Sequence, residues 1–247
     1  LVGHVDSNAT GVSLIKGLDM NEDGSIRLIS DVVRSVLSID CAVLMGANLA
    51  NEVSKENYCE ATLGCKDTAK GTELKQLFHT NYFRIVVTKD ETAVELCGAL
   101  KNIVAVGAGF CEGLGYGDNT KAAIIRLGFM EMIKFIEEFY GDRNPSRDTY
   151  LESCGVADLV TTCYGGRNRK IAMAFIESRR PIPELEKELL GGQSAQGPLT
   201  AKEVNHLLKT KGKLDAYPLF TAVNDICQLT MEPEKFIDCL RNHPAHM

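Results

Sequence analysis

A lysine inside an apolar run is the first residue in this chain that could do chemistry. In CGALKNIVAVGAGF (97–110), the neighbours of Lys101 at helical spacing are Val94, Cys97, Gly98, Val104, Ala105 and Ala108, all small or apolar. No other charge lies between Glu95 and Glu112. Burying an unpaired ammonium is costly and ordinarily lowers its pKa. Lys101 is therefore expected to act as a general acid or base, or as a Schiff-base amine. A snorkelling stem at a helix seam is the plain alternative. Lys16 closes the run VSLIK ahead of Gly17, and ligands of parallel α/β sheets collect at strand carboxyl ends; a solvated strand exit is the other reading. In TTCYGGRNRK (161–170), two glycines precede Arg167, Asn168 and a helical pattern. Backbone N–H groups at a helix start, joined by an arginine, suit a phosphate. A merely solvated basic first turn would set cations against the helix dipole. Asp158, within ESCGVADLV, needs a partner, for which Lys101 or a substrate hydroxyl are the candidates and helix capping is the alternative. The stretch GGQSAQGP (191–198), with Gln193 and Gln196, reads as a loop that either closes over a ligand or lies in solvent. Together these residues suggest an enzyme acting on a small phosphorylated carbonyl or alcohol.

Composition narrows the classes. The chain has 247 residues, 45% hydrophobic and 24% charged, with a net charge of −6, a soluble globular make-up. An acidic balance argues against a nucleic-acid partner, which needs a basic face. Nine scattered cysteines without a CxxC pair read as reduced cytosolic thiols. No HxxxH or HExxH spacing supplies a metal site. The opening LVGHVDSNATG lacks a basic segment followed by an apolar core. The weakly charged run 96–111 is short for a membrane span. A cytoplasmic chain with no membrane partner is expected.

These side chains need elements to hold them. GVSLI (11–15), CAVLM (41–45), EATLGC (60–65) and FRIVVT (83–88) read as strands. Between them, IRLISDVVRSVLS, NLANEVSKENY with Asn48 as cap, and GTELKQLFHT read as helices. Such alternation predicts a parallel sheet wound with helices. After Asp90 only helical patterns remain, over 91–114, 119–140, 168–179, 183–190, 199–211, 218–229 and 233–242. The expected fold class is thus α/β plus all-α, with one domain over 1–89 and an all-helical one over 90–247. The glycine cluster GAGFCEGLGYG only resembles a nucleotide loop, because Glu112 stands where the third glycine should be. Tight packing and a turn account for it better.

At GVSLIKG, VLMGANLANEV, CGALKNIVAVGAGFCEGLGYGDNTKAAIIRLG, YLESCGVADLVTTCYGGRNRK and the final NHPAHM, the chain resembles the eukaryotic cytosolic NAD-dependent glycerol-3-phosphate dehydrogenases, from about Gly11 onward. The resemblance implies a Rossmann-like portion followed by a helical domain, NAD as cofactor, and a homodimer. It also implies reversible hydride transfer between NADH and dihydroxyacetone phosphate, giving glycerol 3-phosphate. Carried over by motif, Lys101 is the catalytic residue, giving a proton to the carbonyl oxygen. Lys16, Asn102, Asp158, Thr162, Arg167 and Asn168 contact or orient substrate, the two lysines converging on it. Ala50, Arg167 and Gln196 touch NAD. Ser194 departs from the family, which often has a lysine there. The family's GxGxxG-bearing first half of the Rossmann domain is also missing from this sequence, so weak NAD binding by the chain alone is expected. Two other readings stand beside the dehydrogenase: a non-catalytic dimerisation partner, and a Schiff-base lyase using Lys101.

Overall fold

A computed structural model describes residues 1–21 and 24–246; Met247, the last residue of the NHPAHM motif, lies outside the described residues. The chain opens with strand β1 (Thr10–Ser13) and an antiparallel pair of two-residue strands, β2 (Asp19–Met20) and β3 (Ile26–Arg27). Helix α1 (Ile29–Leu37), β4 (Asp40–Met45), α2 (Ala50–Val53), β5 (Cys59–Gly64), α3 (Thr68–Phe78) and β6 (Phe83–Thr88) follow. No strand is found after Thr88 among the described residues. The helices are α4 (Glu91–Gly113), α5 (Asp118–Tyr140), α6 (Arg147–Leu151), α7 (Asp158–Gly165) and α8 (Arg167–Ser178), then α9 (Ile182–Leu189), α10 (Gln196–Thr210), α11 (Pro218–Cys227) and α12 (Asp238–Arg241). A π-helical turn, Ser153–Ala157, leads directly into α7.

By contacts the chain divides into two compact units. The first contains Leu1–Ala99 and Phe135–Asp158, the second Leu100–Lys134 and Leu159–Met247. The expected class, a Rossmann-type sheet portion followed by a helical one, is what the chain adopts. One detail differs. The sheet runs β1-β4-β5-β6, and β4 meets β5 antiparallel while the outer pairs are parallel. Alternating apolar periods place strands but do not encode their direction. The loop through α2 is free to return the chain either way.

In the first unit, Ala42, Leu44, Ala61, Leu63, Cys65 and Ile85 from β4 to β6 form a continuous core. Helix α3 packs beside it and starts cleanly, with the Asp67 carboxylate accepting from Ala69 N at 2.8 Å and Lys70 N at 3.1 Å. Such a cap stabilises a helix by about 1 kcal/mol. The expected helix over NLANEVSKENY shrinks to Ala50–Val53, and its N-cap is Leu49, not Asn48.

Helix α4 is long and apolar enough to cross a membrane, yet its apolar window is wholly buried, as in a core helix of a soluble fold. Each buried Leu, Ile, Val or Phe along it contributes roughly 1.5–3 kcal/mol, which offsets the cost of the lysine in its middle. In the second unit its C-terminal half lies hard against α8. A Cβ on Gly109 would sit 2.4 Å from the Arg169 carbonyl oxygen, and one on Gly113 2.7 Å from Ile176 Cβ. The glycine cluster thus allows two helix backbones to touch. Phe110 and Phe236 meet edge to face at 5.5 Å beside this seam.

Candidate active site

In the first unit, three acceptors surround Lys16. Its Nζ donates to the Gly46 carbonyl at 2.9 Å and to Asn48 Oδ1 at 3.2 Å, and pairs with Asp158 Oδ2 at 3.0 Å. Lys16 is half-buried and Asp158 buried. Gly46 follows the last residue of β4, so its carbonyl stands at a strand's carboxyl end. The turn there is braced by Ser153, whose Oγ donates to Glu60 O at 2.7 Å and accepts from Ala47 N at 3.2 Å. One expectation changes here. Asn48, read as a helix cap, serves instead as an acceptor for Lys16. Asp158, for which Lys101 or a substrate hydroxyl were the expected partners, pairs with Lys16. Ala50 is exposed at the first residue of α2.

In the second unit, Lys101 is 3% exposed and donates to Thr162 Oγ1 at 2.6 Å. The lysine comes from α4 and the hydroxyl from α7, and the pairing fixes the ammonium's direction within an apolar helix face. The next residue, Asn102, accepts through Oδ1 from Asn168 Nδ2 at 2.9 Å. Asn168 in turn accepts from Gly197 N at 2.8 Å through its own Oδ1. Both amides are buried, so this chain of bonds fixes the starts of α8 and α10 against α4. A Cβ on Gly197 would lie 2.6 Å from the Asn102 carbonyl oxygen; only glycine fits.

Gly166, the N-cap of α8, has extended backbone and supplies no side-chain cap. The first turn of α8 therefore presents main-chain N–H groups of the kind that favour an anion. Arg167 is exposed there, donating from Nη1 to Gln193 Oε1 at 2.8 Å. Gln196, also exposed, is the first residue of α10, and Ser194 is exposed two residues before it.

Thiol chemistry does not compete with the lysine. Cys97, one turn before Lys101 on α4, is pushed well up by its hydrogen bond with Cys154 and by burial. Burial raises Cys111 to about 11. No His, Cys, Asp and Glu cluster suited to a metal occurs among the described residues.

The structure thus brings Lys16 and Asp158 together in the first unit. In the second it links Lys101 with Thr162, Asn102 with Asn168, and Arg167 with Gln193. Sequence reasoning had missed Gly46, Ser153 and Gly197. A small residue directly after an amide side chain, as in AQGP, is the local signal for the last of these. Ser153 acts across 93 residues on Glu60, a distance no local pattern reveals.

A Rossmann-type sheet unit, and a helical unit holding a buried lysine, a hydroxyl partner and an arginine at a helix start, make up a dinucleotide-dependent dehydrogenase of the sheet-plus-helical-domain class. Comparison with known proteins narrows this. Residues 1–71 match the model of the NAD-dependent glycerol-3-phosphate dehydrogenase N-terminus, and residues 90–238 that of its C-terminus. The cytoplasmic glycerol-3-phosphate dehydrogenase [NAD(+)] of Drosophila ezoana is 59% identical over all 247 residues, which cover 70% of its length. The human cytoplasmic enzyme is 57% identical with the same coverage. Among solved structures, glycerol-3-phosphate dehydrogenase from Saccharomyces cerevisiae superposes with a TM-score of 0.89 at 41% identity, over 97% of this chain and 70% of that one. The Dunaliella salina enzyme gives 0.90 at 42% identity, over 96% of this chain and 40% of that longer one. The chain belongs to the NAD-dependent glycerol-3-phosphate dehydrogenase family.

Proposed function

We propose that this chain works in the cytoplasm in reversible hydride transfer between NADH and dihydroxyacetone phosphate, giving glycerol 3-phosphate. The observation that carries the reading is the buried Lys101 ammonium, 2.6 Å from Thr162 Oγ1, in the same unit as an arginine at the uncapped start of α8.

Of the dinucleotide's expected contacts, Arg167 and Gln196 fit, being exposed polar side chains at the first turns of α8 and α10. Ala50, exposed and small, leaves room for a flat group. The pyrophosphate turn does not fit in the same way: no glycine-rich turn between a strand and a helix occurs among the described residues. NADH supplies the hydride. As the carbonyl oxygen gains charge, the Lys101 ammonium gives it a proton and stabilises the forming alkoxide; in reverse, the neutral amine removes the hydroxyl proton. Thr162 keeps Lys101 aimed. Asn102 and Asn168 orient the substrate, Arg167 and the α8 start take its phosphate, and Lys16, held by Asp158, is a further substrate contact. We place the functional division at residues 89 and 90, with Lys16 and Ala50 before it and the remaining substrate contacts, together with Arg167 and Gln196, after it. A homodimer is part of the proposal, supported by exposed apolar Val160 and Tyr164 on α7.

Loss of NADH absorbance on adding dihydroxyacetone phosphate tests the reading, with sedimentation for the dimer. No turnover, either by this chain or by a version extended to the length of its relatives, overturns it. The second reading is a non-catalytic partner chain. It predicts a stable dimer without calorimetrically detectable NADH binding.

A further inference from the structure

Three cationic side chains crowd the first turn of α8, namely Arg167, Arg169 and Lys170, and no acidic residue accompanies them in that turn. Cations at a helix N-terminus oppose its dipole, so each needs an account. Lys170 Nζ donates to the Leu189 carbonyl at 3.3 Å, and Arg167 donates to the neutral amide of Gln193. Arg169 alone is drawn to a carboxylate: its Nη1 donates to Glu112 Oε2. Glu112 comes from the last turn of α4, the helix that carries Lys101 and Asn102. It lies three residues after Gly109 on the helix, and the absent Cβ atoms of Gly109 and Gly113 let α4 and α8 touch.

The other oxygen of the same carboxylate accepts from Lys121 Nζ on α5. Lys121 is buried, and its Nζ stands 3.8 Å over the ring of Tyr164, within range of a cation–π attraction. Tyr164 lies two residues beyond Thr162 and immediately before the Gly165–Gly166 turn into α8. One carboxylate therefore ties α4 to α8 directly and, through Lys121, to α5 and the end of α7. Burial works against ionisation of Glu112, but Lys121 and Arg169 outweigh it and hold the carboxyl below its usual range.

We propose that Glu112 is a positioning residue for the phosphate seat: it ties Arg169 away from the start of α8 and fixes that turn, leaving Arg167 as the cation offered to the substrate phosphate. The idea rests on the dehydrogenase reading of the site and deepens it. Glu112 touches neither substrate nor cofactor. It acts through Arg169 and Tyr164.

The test compares glycerol 3-phosphate binding by calorimetry, together with turnover of dihydroxyacetone phosphate, in the unsubstituted chain, Glu112→Gln, Arg169→Gln and the double variant. Losing the charge at position 112 is expected to weaken substrate binding and raise its KM by about tenfold, with kcat changed by less than about threefold. In the double variant the released guanidinium is gone, and affinity is expected to return to within about threefold of the original. A purely structural role for Glu112 instead gives a double variant at least as impaired as Glu112→Gln, and that result overturns the proposal. So does unchanged affinity in Glu112→Gln. Should Glu112→Gln not fold, Arg169→Gln decides alone: near-normal affinity supports the proposal, and loss of binding overturns it by making Arg169 itself a phosphate ligand. If neither the unsubstituted chain nor a version extended to the length of its relatives binds glycerol 3-phosphate or turns over, the dehydrogenase reading fails and the proposal with it. A binding wild type with an indifferent Glu112→Gln sinks the proposal alone.

Discussion

Replacing Asn168 with alanine removes the middle of a buried amide chain, and the structure sets the size of the loss. Asn168 Nδ2 donates to Asn102 Oδ1 at 2.9 Å, and its Oδ1 accepts from Gly197 N at 2.8 Å. Alanine leaves a buried acceptor on Asn102 and a buried donor on Gly197. Each group left without its partner costs about 1–3 kcal/mol, so the variant should lose about 2–6 kcal/mol in all. With α10 no longer tied at its first turn, the second unit loosens as well. At roughly 2–4 °C per kcal/mol for a chain of this size, the midpoint should fall by about 4–24 °C. Urea and thermal unfolding, followed by circular dichroism, read both quantities. Asn168→Asp separates packing from charge, since it keeps the acceptor for Gly197 but turns a carboxylate toward Asn102 Oδ1 and toward the phosphate seat. It is expected to hold more stability than alanine while binding glycerol 3-phosphate worse. An alanine variant within about 1 kcal/mol of the parent would show that the amide chain does not hold these helix starts together, and the reasoning would fail.

Other outcomes follow from single contacts. Glu131 is buried and accepts from Leu219 N at 2.8 Å, Phe220 N at 2.9 Å and His243 Nε2 at 3.0 Å, while His243 Nδ1 accepts from Ala245 N. Glu131→Gln keeps one acceptor where two N–H groups at the start of α11 need it, and denaturant unfolding should show a loss of about 2–4 kcal/mol. Glu112 has a lowered folded pKa, so its stabilising effect is complete above the ordinary value of 4.5 and is lost as pH falls through the folded value. Glu112→Gln should accordingly flatten the acid side of a stability profile measured below that pH. Lys16→Met removes one cation from beside the buried Asp158 carboxylate. Because Lys16 is partly exposed, calorimetric unfolding should register only about 1–3 kcal/mol, with a higher KM for dihydroxyacetone phosphate in the same preparation.

How far the sequence carried depends on the kind of signal. Lys101 was legible because a charge in a long apolar run has few structural explanations, and the structure buries it with a hydroxyl partner. The start of α8 was legible because GGR before a helical pattern combines a turn, main-chain donors and a cation. Asn48 misled because a polar residue ahead of an apolar pair looks like a cap, whereas its amide is taken by a lysine 32 residues away. The π-helical turn and α7 were not anticipated. SCGVA has neither a 3.6-residue stripe nor a strong helix former, and its five residues are set by contacts with β5, where Cys154 N donates to Thr62 Oγ1 at 3.1 Å. The antiparallel meeting of β4 and β5 escaped for a related reason, since strand direction is decided by what the connection packs against. Gly109 and Gly113 were rightly taken for packing glycines. Which helix they admit depends on α8, more than fifty residues on, and no local pattern supplies that.

The central claim is that Lys101 moves the substrate proton, and Lys101→Met tests it most directly. The variant keeps an unbranched apolar stem in the helix and removes the ammonium. With thermal stability preserved, the account predicts that kcat for dihydroxyacetone phosphate reduction falls by about 10²–10⁴-fold, with no adduct trapped on Lys101 of the parent by borohydride. Turnover within about tenfold of the parent, or a trapped substrate adduct on Lys101, would contradict it.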